Sequence, residues 1–254
     1  MDKFTFRLRN RHTVLSGAVR FWTNVTGLFV NQTLAFIHTG AMLVPTFADL
    51  AKRELPGVRV IHILDTSLIQ NTIAAGRLEK KTIRRLIAQV ENVVEAGADA
   101  VLVTCSSIGP AVEIARSLFD VPVLRIDDPM AERAVSSADR IGIIATVRTT
   151  LDPTLALFHR TAQRMGRTPH IIAHLCEGAF EAVQNGDTAT HDRLVTEGLV
   201  ALASQSDAIV LAQASMARVV AEAASAGKFP PIITGPSLAL EQARTVLDSL
   251  NGRG

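Results

Sequence analysis

The chain has 254 residues, enough for one large domain or two small ones with a sizeable buried core. Hydrophobic residues make up 48% and charged residues 20%, which excludes a disordered or low-complexity chain. Aromatics stand at 4%, Tyr is absent and the net charge is only +2, so neither a base-stacking platform nor a phosphate-binding stripe is expected.

Residues 1–32 stand apart. Lys3, Arg7, Arg9, Arg11 and Arg20 face a single acid, Asp2, and Arg20, Asn24 and Asn31 interrupt the apolar residues that follow Arg11. That is a poor secretory core. Of a targeting segment, a floppy extension and a wrongly assigned start, the last two fit the pattern better, and 1–32 is set outside the fold.

From Thr33 onward, short apolar runs alternate with longer amphipathic stretches. In chain order the runs are LAFIH (34–38), VRVIHIL (58–64), AVLVT (100–104), VPVLRI (121–126), IGIIAT (141–146), HIIAHL (170–175), AIVLA (208–212) and PIIT (231–234). Each is short, β-branched and without polar alternation, as strands of a parallel sheet covered on both faces should be. Helical stretches such as KKTIRRLIAQVENVVEAGAD lie between them, which predicts βαβ units and an α/β fold.

The second half repeats the first. GADAVLVTCSS (97–107) lies over SQSDAIVLAQAS (204–215), with Asp99 on Asp207 and Cys105 on Gln213. LAFIHTG (34–40) matches IGIIATV (141–147), PTFADLAK (45–52) matches PTLALFHR (153–160), and Gly76 corresponds to Gly186. A near-constant spacing over separate segments predicts duplication. Two pseudo-symmetric lobes follow, each a four-stranded parallel sheet flanked by helices. The first takes 33–127 plus the unpaired final helix in 237–254, and the second takes 128–236. Ligands of open parallel sheets bind beyond the carboxyl ends of the strands, so the site is expected in the cleft between the lobes.

The strand ends then become the candidates: His38 and Thr39, Cys105 with Ser106 and Ser107, Ala145 and Thr146, and Gln213 with Ala214 and Ser215. Hydroxyls and free backbone N–H groups where a strand hands over to a helix suit a carboxylate. No GxGxxG, P-loop or HExxH occurs, so nothing points to a nucleotide or a metal. Cys105 and Cys176 cannot build a disulfide framework and imply a reducing compartment. A thiol at the position of Cys105 can have its pKa lowered from about 8.5 and serve as base or nucleophile, or it can be a small buried hydrophobe. Cys176 fits a structural role better. His38 can reach a ligand, whereas His62 and His174 interrupt apolar runs and are expected to be satisfied within the fold.

The VTCSS segment, IDDPMAERAV at the lobe junction, GIIATVRTT opening the second lobe and VLAQASMARVV at the equivalent strand end together resemble the aspartate/glutamate/hydantoin racemase superfamily, which also contains arylmalonate decarboxylase and maleate isomerase. The resemblance covers nearly all of 33–250. It implies chemistry without cofactor or metal at the α-carbon of a small carboxylate or amino-acid derivative, in a cytoplasmic enzyme of amino-acid metabolism that can form a homo-oligomer. In the racemases a cysteine from each lobe flanks the substrate. By position the first is Cys105 and the second falls at Gln213, in Leu211-Ala212-Gln213-Ala214-Ser215-Met216-Ala217. An amide does not titrate, so Gln213 is expected to orient substrate while Cys105 acts as acid or base. The cradle implied for a developing enediolate is Ser106, Ser107, Thr146 and Ser215, with Thr39 and Thr149 added. Three functions follow as expectations: a racemase or isomerase, a single-cysteine decarboxylase, or a non-catalytic binder of a small acid.

Overall fold

A computed structural model describes residues 32–217, 219–220 and 229–251; apart from Gln32, the expected N-terminal extension lies outside them. The described chain runs β1 (Thr33–His38), α1 (Leu43–Glu54), β2 (Arg59–Leu64), α2 (Thr66–Ala75), α3 (Lys80–Glu95), β3 (Ala100–Val103), a 3-10 turn (Ser106–Ile108), α4 (Gly109–Ala115), β4 (Val123–Arg125) and α5 (Asp128–Ser137). It continues through β5 (Arg140–Ala145), α6 (Arg148–Arg164), β6 (His170–Leu175), α7 (Ala179–Gln184), α8 (Thr188–Ala203), β7 (Ala208–Leu211), a second 3-10 turn (Ala214–Met216), β8 (Ile232–Thr234) and α9 (Gly235–Asn251).

All eight expected strands form, and they make two four-stranded parallel sheets, ordered β2-β1-β3-β4 and β6-β5-β7-β8. The internal repeat reappears as register: Leu34 pairs with Ala100 as Ile141 pairs with Ala208. Asp99 accepts the backbone N–H of Thr33 at 2.7 Å, and its repeat partner Asp207 accepts that of Arg140 at 2.9 Å. Each acid ties the start of one strand to the start of its neighbour, which helps set that register.

Alternate residues of the central strands fill opposite faces. In the first sheet Ala35, Ile37, Val101 and Val103 pack toward Leu86, Val90 and Val93 of α3, whose spacing places them on one helical stripe. Leu34, Phe36 and Leu102 pack on the other face with Phe47 of α1 and with Ala239, Leu240, Ala243 and Leu247 of α9. In the second sheet Ile141, Ile143 and Ala145 meet α5 and α6, while Ile144, Ile209 and Leu211 meet α7 and α8. Coverage on both faces is why these strands carry unbroken apolar runs.

Helix ends follow local chemistry. Asp65 caps α2 by accepting the N–H of Ser67 at 3.1 Å, and Asp187 caps α8 by accepting that of Thr190 at 3.0 Å. Helix α2 closes on Gly76 at φ 64°, a left-handed conformation that glycine adopts at little cost. No helix among the described residues is long and apolar enough to cross a membrane.

Candidate active site

Four central strands end at the site. The two that carry the repeat-related pair do so with matching backbones: Cys105 (φ −139°, ψ 114°) follows β3 and Gln213 (φ −132°, ψ 134°) follows β7. Each is extended and opens a 3-10 turn, so the duplication delivers a thiol from one half and an amide from the other. Between the halves lies a cavity of about 480 Å³, within the usual ~300–1,000 Å³ of small-molecule sites.

Thr39, Cys105, Ser106, Ser107, Gln213, Ala214 and Ser215 all line it. The halves also touch each other here. Ser107 Oγ and Thr150 Oγ1 are 2.7 Å apart, and the Ser106 hydroxyl donates a long bond of 3.4 Å to the Ala212 carbonyl.

Cys105 is half-buried, and its surroundings reverse the expectation of a lowered pKa. Loss of water around the sulfur pushes the thiol up; the Thr39 hydroxyl, the Ser107 and Ile108 N–H groups and the Ser107 hydroxyl favour the thiolate, but burial outweighs them. The resting sulfur therefore keeps its proton at neutral pH. Cys176 sits in the core beside Val195 and Leu199, is pushed up to about 11 by burial and then by Glu197, and does not line the cavity.

Three candidates lie behind the cavity wall instead of on it. His38 is fully enclosed: its Nδ1 is 2.8 Å from the Thr104 hydroxyl and its Nε2 is 2.9 Å from His62 Nδ1. Because the Thr104 hydroxyl donates to the Ile37 carbonyl at 3.2 Å, it accepts from His38 Nδ1–H, and His62 Nδ1–H in turn donates to His38 Nε2. His62 Nε2 is then an acceptor, and it is buried without a partner. His38 thus braces Thr104, the neighbour of Cys105, without reaching a ligand. Burial first and His62 second hold His38 down at about 4.

Thr146 is likewise a brace. Its N–H donates to Gln213 Oε1 at 2.6 Å and its hydroxyl donates to the same oxygen at 2.9 Å. Only the carbonyl end of an amide accepts, so the Nε2 end of Gln213 is turned away from Thr146, with no acceptor among the described residues. The Thr149 hydroxyl is buried and unbonded; its neighbour Thr150 lines the cavity. The Thr-Thr pair at the start of α6 carries no sequence signal for which residue faces inward. Thr66, Ile69 and Gln70 of α2 and Phe180, Val183 and Gln184 of α7 also line the site, and amphipathic patterning alone does not distinguish them from ordinary helix surface. Among the described residues no group of three His, Cys, Asp or Glu side chains stands within reach of one metal ion.

The family model for Asp/Glu/Hydantoin racemase matches residues 37–243. The chain belongs to the Asp/Glu/Hydantoin racemase family. Glutamate racemase of Parafrankia sp. is 26% identical over 166 residues, 64% of this chain and 58% of that protein, and glutamate racemase of Persephonella marina is 33% identical over 122 residues, 46% and 45%. The matched stretches span about half the length of these relatives. In fold, the chain is similar to glutamate racemase of Francisella tularensis in complex with D-glutamate, with a TM-score of 0.68 at 14% identity over 87% of this chain and 82% of that one. It is also similar to allantoin racemase of Klebsiella pneumoniae, at 0.65 and 18% over 85% and 88%, and to aspartate racemase of Picrophilus torridus, at 0.65 and 12% over 86% and 94%. The expected family and the two-lobed fold stand on these matches.

Proposed function

We propose that this family member is a racemase-type enzyme that moves a proton at the α-carbon of a small carboxylate without a cofactor. Cys105 is the proton-transfer group and Gln213 orients the substrate. One observation carries the reading: Cys105 is the sole titratable side chain among the described residues that line the cavity, and an anchored amide stands at the repeat-related position. The substrate carboxylate rests on hydroxyls and N–H groups around Ser106, Ser107 and Ser215. Once the Cys105 thiol has passed its proton to water, the thiolate takes the α-proton and the negative charge moves onto the carboxylate oxygens, where each well-aimed donor contributes on the order of 3 kcal/mol. Neither His38 nor Cys176 supplies a second proton, because neither lines the cavity. On the Gln213 side a proton comes from water.

The raised thiol favours a second reading. A sulfur that holds its proton at neutral pH suits a one-sided acid that protonates an enediolate after carbon dioxide has left a malonate-type substrate. Both readings place the enzyme in a reducing compartment, supported by two free cysteines.

The test is α-deuterium incorporation in deuterated water across amino acids, hydantoins and disubstituted malonates. Exchange without carbon dioxide release supports the racemase type, and carbon dioxide release supports the lyase. Cys105→Ser should lower either rate by about 10²–10⁴-fold. Gln213→Cys, which returns a titratable group to the second side, should raise the proportion of inverted product. Unchanged turnover in Cys105→Ser refutes both readings.

A further inference from the structure

Cavity polarity is divided by origin. The strand-end segments and α6 supply Thr39, Ser106, Ser107, Thr150, Gln213 and Ser215, all uncharged. The helices opposite supply mainly apolar groups, Met42, Leu43, Ile69, Met130, Phe180 and Val183, beside the uncharged Thr66, Gln70 and Gln184. No Asp, Glu, Lys, Arg or His is found among the described lining residues.

Asp65, Asp127 and Asp128, close to lining residues along the chain, are already committed, and Glu181, beside Phe180, is exposed. Asp65, which precedes the lining residue Thr66, accepts from Ser67 and Arg85. Asp127, which follows the lining residue Ile126, is held by two nitrogens of Arg125 at 2.9 and 2.8 Å, and Asp128 pairs with Arg116.

An ammonium brings three donors and no acceptor, and it is strongly hydrated. Among the described lining residues it finds no carboxylate to replace its water. A carboxylate fares better, because hydroxyls, N–H groups and the free amide end of Gln213 all donate. The polar side chains of the opposite wall are Thr66, Gln70 and Gln184, none of them charged, and the rest of its described lining matches an apolar substituent.

Building on the proton-transfer reading above, we propose that the cavity takes a carboxylate whose other substituents are uncharged and largely apolar, and that it rejects zwitterionic amino acids such as glutamate and leucine.

Three probes that vary charge on the 4-methylpentanoate skeleton, namely 4-methylpentanoate, N-carbamoyl-leucine and leucine, test this together with glutamate, with both enantiomers of each chiral probe. Binding to the full chain is measured by calorimetry, and occupancy is read as protection of Cys105 from iodoacetamide, located by mass spectrometry. The two ammonium-free acids should bind at least tenfold tighter than leucine or glutamate and should protect Cys105. Equal or tighter binding of leucine or glutamate, or binding by none of the four, overturns the proposal. Gln70→Glu, an isosteric change at the rim, should narrow the preference severalfold; an unchanged preference counts against it. α-Deuterium uptake is followed in the same samples. N-carbamoyl-leucine that protects Cys105 yet never exchanges sinks the proton-transfer reading and leaves the specificity standing, whereas exchange of bound glutamate does the reverse.

Discussion

Gln213 Oε1 accepts both the backbone N–H and the hydroxyl of Thr146, at 2.6 and 2.9 Å. The side chain at the position related to Cys105 is therefore fixed by its carbonyl end, and its amide nitrogen becomes the donor available to a ligand. Gln213→Glu keeps both bonds and exchanges that donor for a carboxylate oxygen. We expect calorimetry to show 4-methylpentanoate binding at least tenfold more weakly, about 1.4 kcal/mol, with part of the loss recovered at high salt. Equal affinity of variant and parent would remove Gln213 from the substrate contacts.

Cys105 is expected to titrate above the ordinary thiol range, because burial outweighs the four groups that favour the thiolate. Its alkylation by iodoacetamide in the ligand-free protein should be slower than that of free cysteine at pH 8 and still rising above pH 9. The sign for stability follows. A folded thiol that binds its proton more tightly contributes fully at neutral pH, and the contribution fades as pH climbs past the ordinary thiol range. A reaction plateau near neutrality would contradict the assigned direction.

The His38–His62 pair makes the first sheet sensitive to acid. Both rings are held below the ordinary imidazole value of 6.5, His38 at about 4. Folding with neutral rings is favoured above 6.5, and the advantage is lost as pH falls toward 4. For His38 this is worth roughly 3 kcal/mol at ~1.4 kcal/mol per pH unit. Urea midpoints should fall steeply across that window, and the His38→Phe, His62→Phe double variant should flatten the slope.

Arg125 is almost fully enclosed and grips the fully enclosed Asp127 through two parallel bonds, while also pairing with Glu113. Glu113 in turn pairs with Arg160 of α6 at 2.5 Å, so the cluster spans the two halves. Arg125→Leu strands a buried carboxylate and should cost about 3–5 kcal/mol in urea denaturation. Adding Asp127→Leu should recover most of it. Arg125→Lys should rescue little, since an ammonium cannot span both carboxylate oxygens.

Ser107 and Thr150 close the floor of the cavity by one hydroxyl pair. Each of Ser107→Ala and Thr150→Val leaves a buried hydroxyl short of a partner and should cost about 1–3 kcal/mol. The double variant should cost less than the sum, with a coupling near 1 kcal/mol in a double-mutant cycle. Strict additivity would show that the pair carries no cross-half energy.

Much of the site was legible because duplication is a statement about sequence. The repeat spacing matches Cys105 with Gln213 and Asp99 with Asp207, and the fold presents both pairs at equivalent strand positions. His38 shows where this stops. A strand-end position says that a residue is near the rim, but the side turned to the ligand depends on packing, and His38 turns to Thr104, His62 and the rings of Phe36 and Phe47. The choice of Thr150 over Thr149 likewise depends on where α6 meets Ser107.

By itself, then, the amino-acid order determined eight parallel strands, their division into two related halves, and the placing of Cys105 and Gln213 at repeat-related positions. Those features arise from local hydrophobic patterning and from the comparison of one half with the other, both of which are written along the chain. Tertiary structure decided the protonation of Cys105, the orientation of the Gln213 amide and, among the described residues, the uncharged, largely apolar lining opposite the strand-end hydroxyls. Each of these depends on how much water is expelled and which distant groups meet across the cleft, and such through-space terms have no counterpart in residue spacing.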